Sequence, residues 1–443
     1  MLLYTALALL PAYSWDSLNP GTEKQLHETK EASVQWLLQQ KVPNGTLASP
    51  VPQRRNLLIS YDIPEGDPAY PYLMGRAYVY DSALAAIVFA MTGRNREAEE
   101  VLLALSRQLR PDGSMWFGVN LQNEWPNEEG HGEATVRSGA SAWAGYAATF
   151  YLRKKLQESS PDTPPFHTED RIGRQILSFA EKTGRHLISL QITDREDHRY
   201  GLITGGQGTY NLKAENNGSV NSKYIDEQIG WASTEHNIDA YFLFRDLALL
   251  TGGKRYLRGA EMIAEGLISL WDEEHRQLIQ GIKVGGLRDT VLPLDTASWG
   301  SIFLRQAGYP DKALAALSAG VERFQLDRIG HYRPYAADPV FPDPQVSQSY
   351  FQDPDITWNQ LDIAWPEGSL GMATALIKAG RYETALQIID AAREYTEHGA
   401  VQYASLEIPH QFSTYPSVAS TAWLVIAIEN LLDPLDRSLF WNY

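Results

Sequence analysis

The chain has 443 residues, no cysteine, 44% hydrophobic and 21% charged residues, and a formal net charge of -16. This composition suits a soluble globular protein with a sizeable core, and the missing thiols exclude disulfides, thiolate nucleophiles and cysteine-held zinc. An acidic balance with no Lys/Arg run argues against a nucleic-acid partner, whose phosphates need a basic face, and favours a neutral or sparsely charged ligand.

The first segment, Leu2 to Leu10, is apolar like the middle of a signal peptide, although no basic residues precede it. It reads as the remnant of one or as a first packed helix, and the expected location is secreted or periplasmic. No later run reaches the roughly 18 apolar residues of a membrane span. A polar outer helix is predicted over Thr22 to Lys41. From there a pattern repeats: a short polar or acidic opening, an apolar small-residue helix, a glycine, and an Ala-rich amphipathic helix.

The openings are Asp81-Ser-Ala-Leu-Ala-Ala, Arg137-Ser-Gly-Ala-Ser-Ala-Trp, Ser233-Thr-Glu-His-Asn-Ile-Asp, Leu294-Asp-Thr-Ala-Ser-Trp, Pro366-Glu-Gly-Ser-Leu-Gly-Met and Pro416-Ser-Val-Ala-Ser-Thr-Ala-Trp. Helices such as Ala83 to Ala90, Ala140 to Phe150 and Val418 to Ile428 are apolar nearly all round, as expected of helices buried on both sides. Arg96 to Leu109, Asp311 to Phe324 and Tyr382 to Tyr395 carry charge on one face only. The glycines of Met91-Thr-Gly, Leu250-Thr-Gly-Gly, Gln306-Ala-Gly and Lys378-Ala-Gly suit left-handed C-caps that reverse the chain at once. One hairpin, Ser138 to Leu156 with Glu169 to Ser189, has a longer proline-rich linker, Glu158 to His167. Pairing the first helix with the last, Ser417 to Leu432, makes six hairpins, so an all-α (α/α)6 toroid is predicted as one domain over 1–443. Long segments rich in Gly, Asp, Trp and Tyr (Pro111 to Val136, Gln191 to Gly230, Gly330 to Trp365) all precede inner helices. They mark the inner-helix N-terminal face as the functional one and suit short β-hairpins.

With this hairpin count and these acidic openings, the chain resembles the six-hairpin glycosidases. Thr234-Glu-His-Asn-Ile-Asp-Ala is similar to the T-D-x-D-x-D-x-A helix start of cellulase-type members, and Pro366-Glu-Gly-Ser-Leu-Gly-Met to their S-E-G-x-x-Y-G-M, although the order is reversed and Glu replaces Asp. The resemblance implies hydrolysis of a polysaccharide or oligosaccharide. That chemistry needs a carboxylic acid to protonate the leaving oxygen and a carboxylate as base or nucleophile. The candidates are Asp81, Glu235, Asp295 and Glu367, with Glu235 as acid, one of the others as base, and inversion expected. The competing explanation is helix capping, worth roughly 0.3 to 1 kcal/mol, which suits Asp81 and Asp295 better than the two glutamates. A helix N-terminus also lowers a carboxyl pKa, so apolar cover must outweigh the dipole if one of these groups is to stay protonated.

Flat aromatic rings stack on pyranose faces, and the candidates for binding are Trp116, Trp125, Tyr210, Trp231, Trp299, Trp358 and Trp365, with His236, Asp239 and His410 beside them; core packing is the competing reading for any tryptophan. Gly205-Gly-Gln-Gly reads as a turn, and Asn44-Gly-Thr and Asn217-Gly-Ser as sequons or tight turns. No zinc-like histidine spacing occurs, so no metal or cofactor is expected; the partner is a carbohydrate and the chain is expected to be a monomer. The rival readings are a polysaccharide lyase or sugar epimerase with Tyr or His as base, and a non-catalytic glycan-binding ring.

Overall fold

The computed structural model describes residues 18–125, 134–158, 170–432 and 439–441. Leu2 to Leu10 and nearly all of the Glu158 to His167 linker lie outside the described residues. In chain order the long helices are α1 (Pro20–Gln40), α2 (Val79–Met91), α3 (Asn95–Ser106), α4 (Ser138–Glu158), α5 (Arg171–Ser189), α6 (Thr234–Thr251), α7 (Lys254–Ser269), α8 (Leu294–Gln306), α9 (Pro310–Phe324), α10 (Pro366–Lys378), α11 (Tyr382–Ala392) and α12 (Val418–Leu432).

The two helix types separate as their composition demands. Every residue from Leu294 to Leu304 of α8 is buried, whereas α3 buries only Ala98, Val101, Leu102, Ala104 and Leu105. The even-numbered helices pack each on the next, and α12 packs back on α2, while α1 lies against α12. Gly93, Gly252, Gly308 and Gly380 follow α2, α6, α8 and α10 with φ of 73°, 65°, 89° and 77°. A side chain there would meet the left-handed penalty, so the repeated glycine is what lets these four inner helices turn directly into their outer partners.

Inner helices approach closely because small residues face their neighbours. A Cβ on Gly145 of α4 would lie 2.7 Å from Leu243 of α6, and one on Gly371 of α10 would lie 2.6 Å from the Trp299 indole nitrogen of α8. At the centre the inner helices contribute Trp143, Phe242, Trp299 and Trp423, and the C-terminal residues Phe440 and Trp441 insert among them. Trp441 stacks on Phe242 at 5.0 Å, lies 5.2 Å from Trp143 and 5.4 Å from Trp299, and donates its amide to the Tyr146 hydroxyl at 2.7 Å. Touching four inner helices at once, it occupies the common axis and forms an aromatic floor.

Short strands lead directly into α2, α4, α6 and α12: Arg76–Tyr78, Val136–Arg137, Ala232–Ser233 and Pro416–Ser417. The longest β-structure is the antiparallel hairpin Gly206–Ala214 with Val220–Ile229, whose first strand pairs with Val136–Arg137. The Gly205-Gly-Gln-Gly segment is therefore the start of a strand and not a turn. A Cβ on Gly206 would lie 2.2 Å from the Val136 carbonyl oxygen, and the register shifts between Gln207 and Thr209, so the glycines serve close pairing and a bulge. Both Asn-Gly sequons close tight turns: Asn44 accepts from the amides of Thr46 and Leu47, and Asn217 from Ser219 at the hairpin tip. The Gly330 to Trp365 segment contains a helix of its own, Pro344–Phe351, capped by Asp343. No helix among the described residues is long and apolar enough to cross a membrane.

Candidate functional site

Glu235, Asp295 and Glu367 are each the second residue of an inner helix, and Asp81 is the third residue of α2. Equal placement on four inner helices sets all four at one level of the ring, and each is close enough to feel the charge of another. Burial comes first in pushing up Glu235, followed by the charges of Asp295 and Glu367. Burial lifts Glu367 to about 8, opposed by its bond from Tyr80 and reinforced by Asp81 and Asp295. Asp81 is raised to about 7 by burial, against a hydrogen bond from Ser60. Asp295 is also raised by burial, while the amides of Thr296 and of Asp295 itself favour its ionised form. Desolvation thus outweighs the helix dipole at all four positions. Among the described residues none of the four is paired with a Lys or Arg.

Capping does not account for this placement. The N-cap positions are Tyr78, Ser233, Pro293 and Trp365, with no side-chain cap bond at any of them. Glu367 instead accepts a hydrogen bond from the Tyr80 hydroxyl at 2.7 Å, and Tyr80 accepts one from the Trp423 indole at 2.8 Å. This chain joins α2, α10 and α12 beneath the rim. One turn below Glu235, Asp239 is 2% exposed, and it is raised by burial and then by Glu235 and Asp295, opposed by the Trp143 indole.

The binding candidates scatter more widely. Trp231 and His236 pack together at 5.6 Å beside Glu235, and His236 Nδ1 lies 3.0 Å from the Ser138 hydroxyl. Burial, then Arg137, lowers His236 to about 3, so its imidazole is neutral. Trp365 precedes Glu367, is partly exposed, and its indole favours the ionised form of Glu367. Trp116 is partly buried under the Arg110 guanidinium at 4.2 Å, Trp125 is 54% exposed, and Tyr210 sits on the long hairpin at 38% exposure. His410 is exposed and within 3.0 Å of the Tyr350 hydroxyl. Two tryptophans depart from the sequence reading. Trp299 stacks on Trp423 at 5.2 Å within the floor, and Trp358 is buried between Tyr335 and Phe412, so both pack in hydrophobic clusters and present no open face for stacking. Their rings complete apolar layers, which is the larger energetic return for an indole.

Four tyrosines escaped the sequence reading. Tyr61, Tyr80, Tyr335 and Tyr403 are all raised by burial and then by nearby charge: for Tyr80 and Tyr403 Glu367 is the main carboxylate, and for Tyr335 it is Asp295. Tyr80 was legible as the neighbour of Asp81; Tyr335 and Tyr403 lie in long segments whose sequence gives no sign of which side chain turns inward. No group of three or more His, Asp or Glu among the described residues is arranged to hold a metal ion.

No family model and no curated protein matches the chain. Solved structures do. A glycosidase variant in complex with glucose superimposes with a TM-score of 0.59 at 11% identity, covering 94% of this chain and 99% of that one. A D-mannose isomerase matches with 0.58 at 12% over the same shares, and a cellobiose 2-epimerase from Bacillus thermoamylovorans B4167 with 0.59 at 10% over 92% and 99%. The likeness shows a shared fold. That fold is the (α/α)6 toroid type expected from the six openings, carried over nearly the full length of both chains.

Proposed function

We propose that this chain is a sugar-acting enzyme, a glycoside hydrolase built on a closed (α/α)6 ring. The observation that carries the reading is the set of four carboxylates at the starts of four inner helices, Asp81, Asp295 and Glu367 buried and Glu235 partly exposed, electrostatically coupled and without basic partners among the described residues. A glycosidic bond is broken when one carboxylic acid protonates the leaving oxygen while a carboxylate activates water or attacks. Glu235, held protonated by burial and two neighbouring acids, supplies the proton. Asp295, whose ionised form is favoured by two backbone amides, is the base. Glu367, fixed by Tyr80, holds a second proton near neutrality. Trp231 and Trp365 border these acids and offer ring faces to the sugar.

The expected outcome is that Glu235→Gln loses about 10²- to 10⁴-fold in activity while retaining the fold, and that the intact enzyme inverts the anomeric centre, followed by NMR during hydrolysis of a sugar panel. Retention would reassign Asp295 as the nucleophile. The isomerase and epimerase neighbours favour a second reading, proton transfer at a sugar carbon; it predicts a changed sugar identity with no bond cleavage. In that reading His236, lowered by burial, is a weak base, so the proton would pass to another group.

A further inference from the structure

The hairpin 206–229 is tied down at both ends. At its base Val136 pairs with Gln207, and Arg137 Nη1 donates to the Gly208 carbonyl at 2.6 Å, immediately before α4. At its far end Leu212, Ala214 and Val220 pack on a second hydrophobic cluster separate from the main core. Phe341, Val346 and Trp358 of that cluster come from the segment before α10, and Ile408 and Phe412 from the segment before α12. The first strand also rests on helix Pro344–Phe351. In the cyclic packing order α4 and α10 lie on opposite sides of the ring, and nine strand residues reach about 30 Å. A hairpin anchored at these two places crosses the mouth.

Its two faces differ accordingly. Tyr210, Leu212 and Ala214 share one face of the first strand, and their cross-strand partners Tyr224, Ser222 and Val220 share it on the second. This is the face that docks on the cluster, so Tyr210 and Tyr224, 5.6 Å apart, lie on the underside of the span. An isolated two-stranded hairpin is marginal in water; its apolar end contact holds it in place.

We propose that this hairpin is a strut across the mouth that admits sugars only by a free end, so that the substrates are disaccharides or polymer termini, with Tyr210 as the stacking platform beneath the span. The proposal rests on the sugar-acting reading above. The test compares the intact protein with Leu212→Asp/Val220→Asp, and with a chain in which residues 211–222 are replaced by Asn-Gly, on soluble polysaccharides and the disaccharides of matching linkage. The intact protein is expected to release small sugars with no fall in viscosity, and both variants to gain viscosity-lowering internal cuts. Viscosity falling ahead of reducing-end release in the intact protein overturns the proposal. Hydrogen exchange separates the two readings: protected amides over 209–214 in the intact protein that exchange at least ten-fold faster in Leu212→Asp/Val220→Asp support the strut even if no sugar is processed, whereas unprotected amides in the intact protein overturn it. Absence of activity on every sugar removes the substrate clause together with the enzymatic reading.

Discussion

Glu367 shows how strongly one side chain can link the site to stability. Its carboxyl moves from the ordinary 4.5 to about 8 in the folded chain, chiefly by burial. The folded protein therefore binds that proton more tightly than the unfolded chain, and stability falls as pH rises from 4.5 to 8, where the burial penalty of the ionised form is complete. Glu367→Gln removes the ionisation and leaves an amide oxygen for Tyr80. Thermal melts should show the variant more stable than the parent at pH 8, with the gain shrinking towards pH 5. With an unfolding entropy of about 2 cal/mol/K per residue, each kcal/mol relieved moves Tm by about 1 °C in a chain of this length, so a shift of a few degrees is expected. An unchanged difference across pH would show that Glu367 ionises freely. The acidic residues were legible because a repeated helix opening points to its own first turn. Tyr335 and Tyr403 were not, because a long segment's path sets which side chain faces inward.

At the scale of the element, glycine has two distinct tasks. Gly252 ends α6 at φ 65°, and Gly252→Ala imposes a left-handed alanine, an expected loss of about 1 to 2 kcal/mol in denaturant unfolding. Gly371 sits inside α10 at an ordinary helical angle, and its substitution acts by crowding instead. An alanine methyl would lie 2.6 Å from the Trp299 indole nitrogen, in a floor where Trp299 is held by Trp143, Trp423 and Trp441. Gly371→Ala should cost about 1 to 3 kcal/mol, and near-ultraviolet circular dichroism should report the displaced tryptophan. The first task is readable from the Gly-plus-polar-turn punctuation. The second depends on which neighbour α10 meets, and helical periodicity says nothing about that.

For the whole molecule, the ring is held from inside. Trp441 contacts α4, α6, α8 and α12, so one residue bears on four of the six inner helices. Trp441→Ala leaves a cavity on the axis and should lower the unfolding free energy by about 3 to 5 kcal/mol, with one cooperative transition retained. A change below 1 kcal/mol would show that the floor closes without it. By itself the sequence determined the two classes of helix, their alternation, the reversals between them and the acids at the openings, because each follows from local periodicity or from a backbone angle only glycine takes cheaply. Only the tertiary structure decided that the acids share one level, that Trp299 and Trp358 are packing residues, that Phe440 and Trp441 fill the centre, and that the long hairpin is anchored at both ends. Each of these depends on contacts between segments distant in the chain, and burial, the force that raises the carboxyl pKa values, is a property of those contacts.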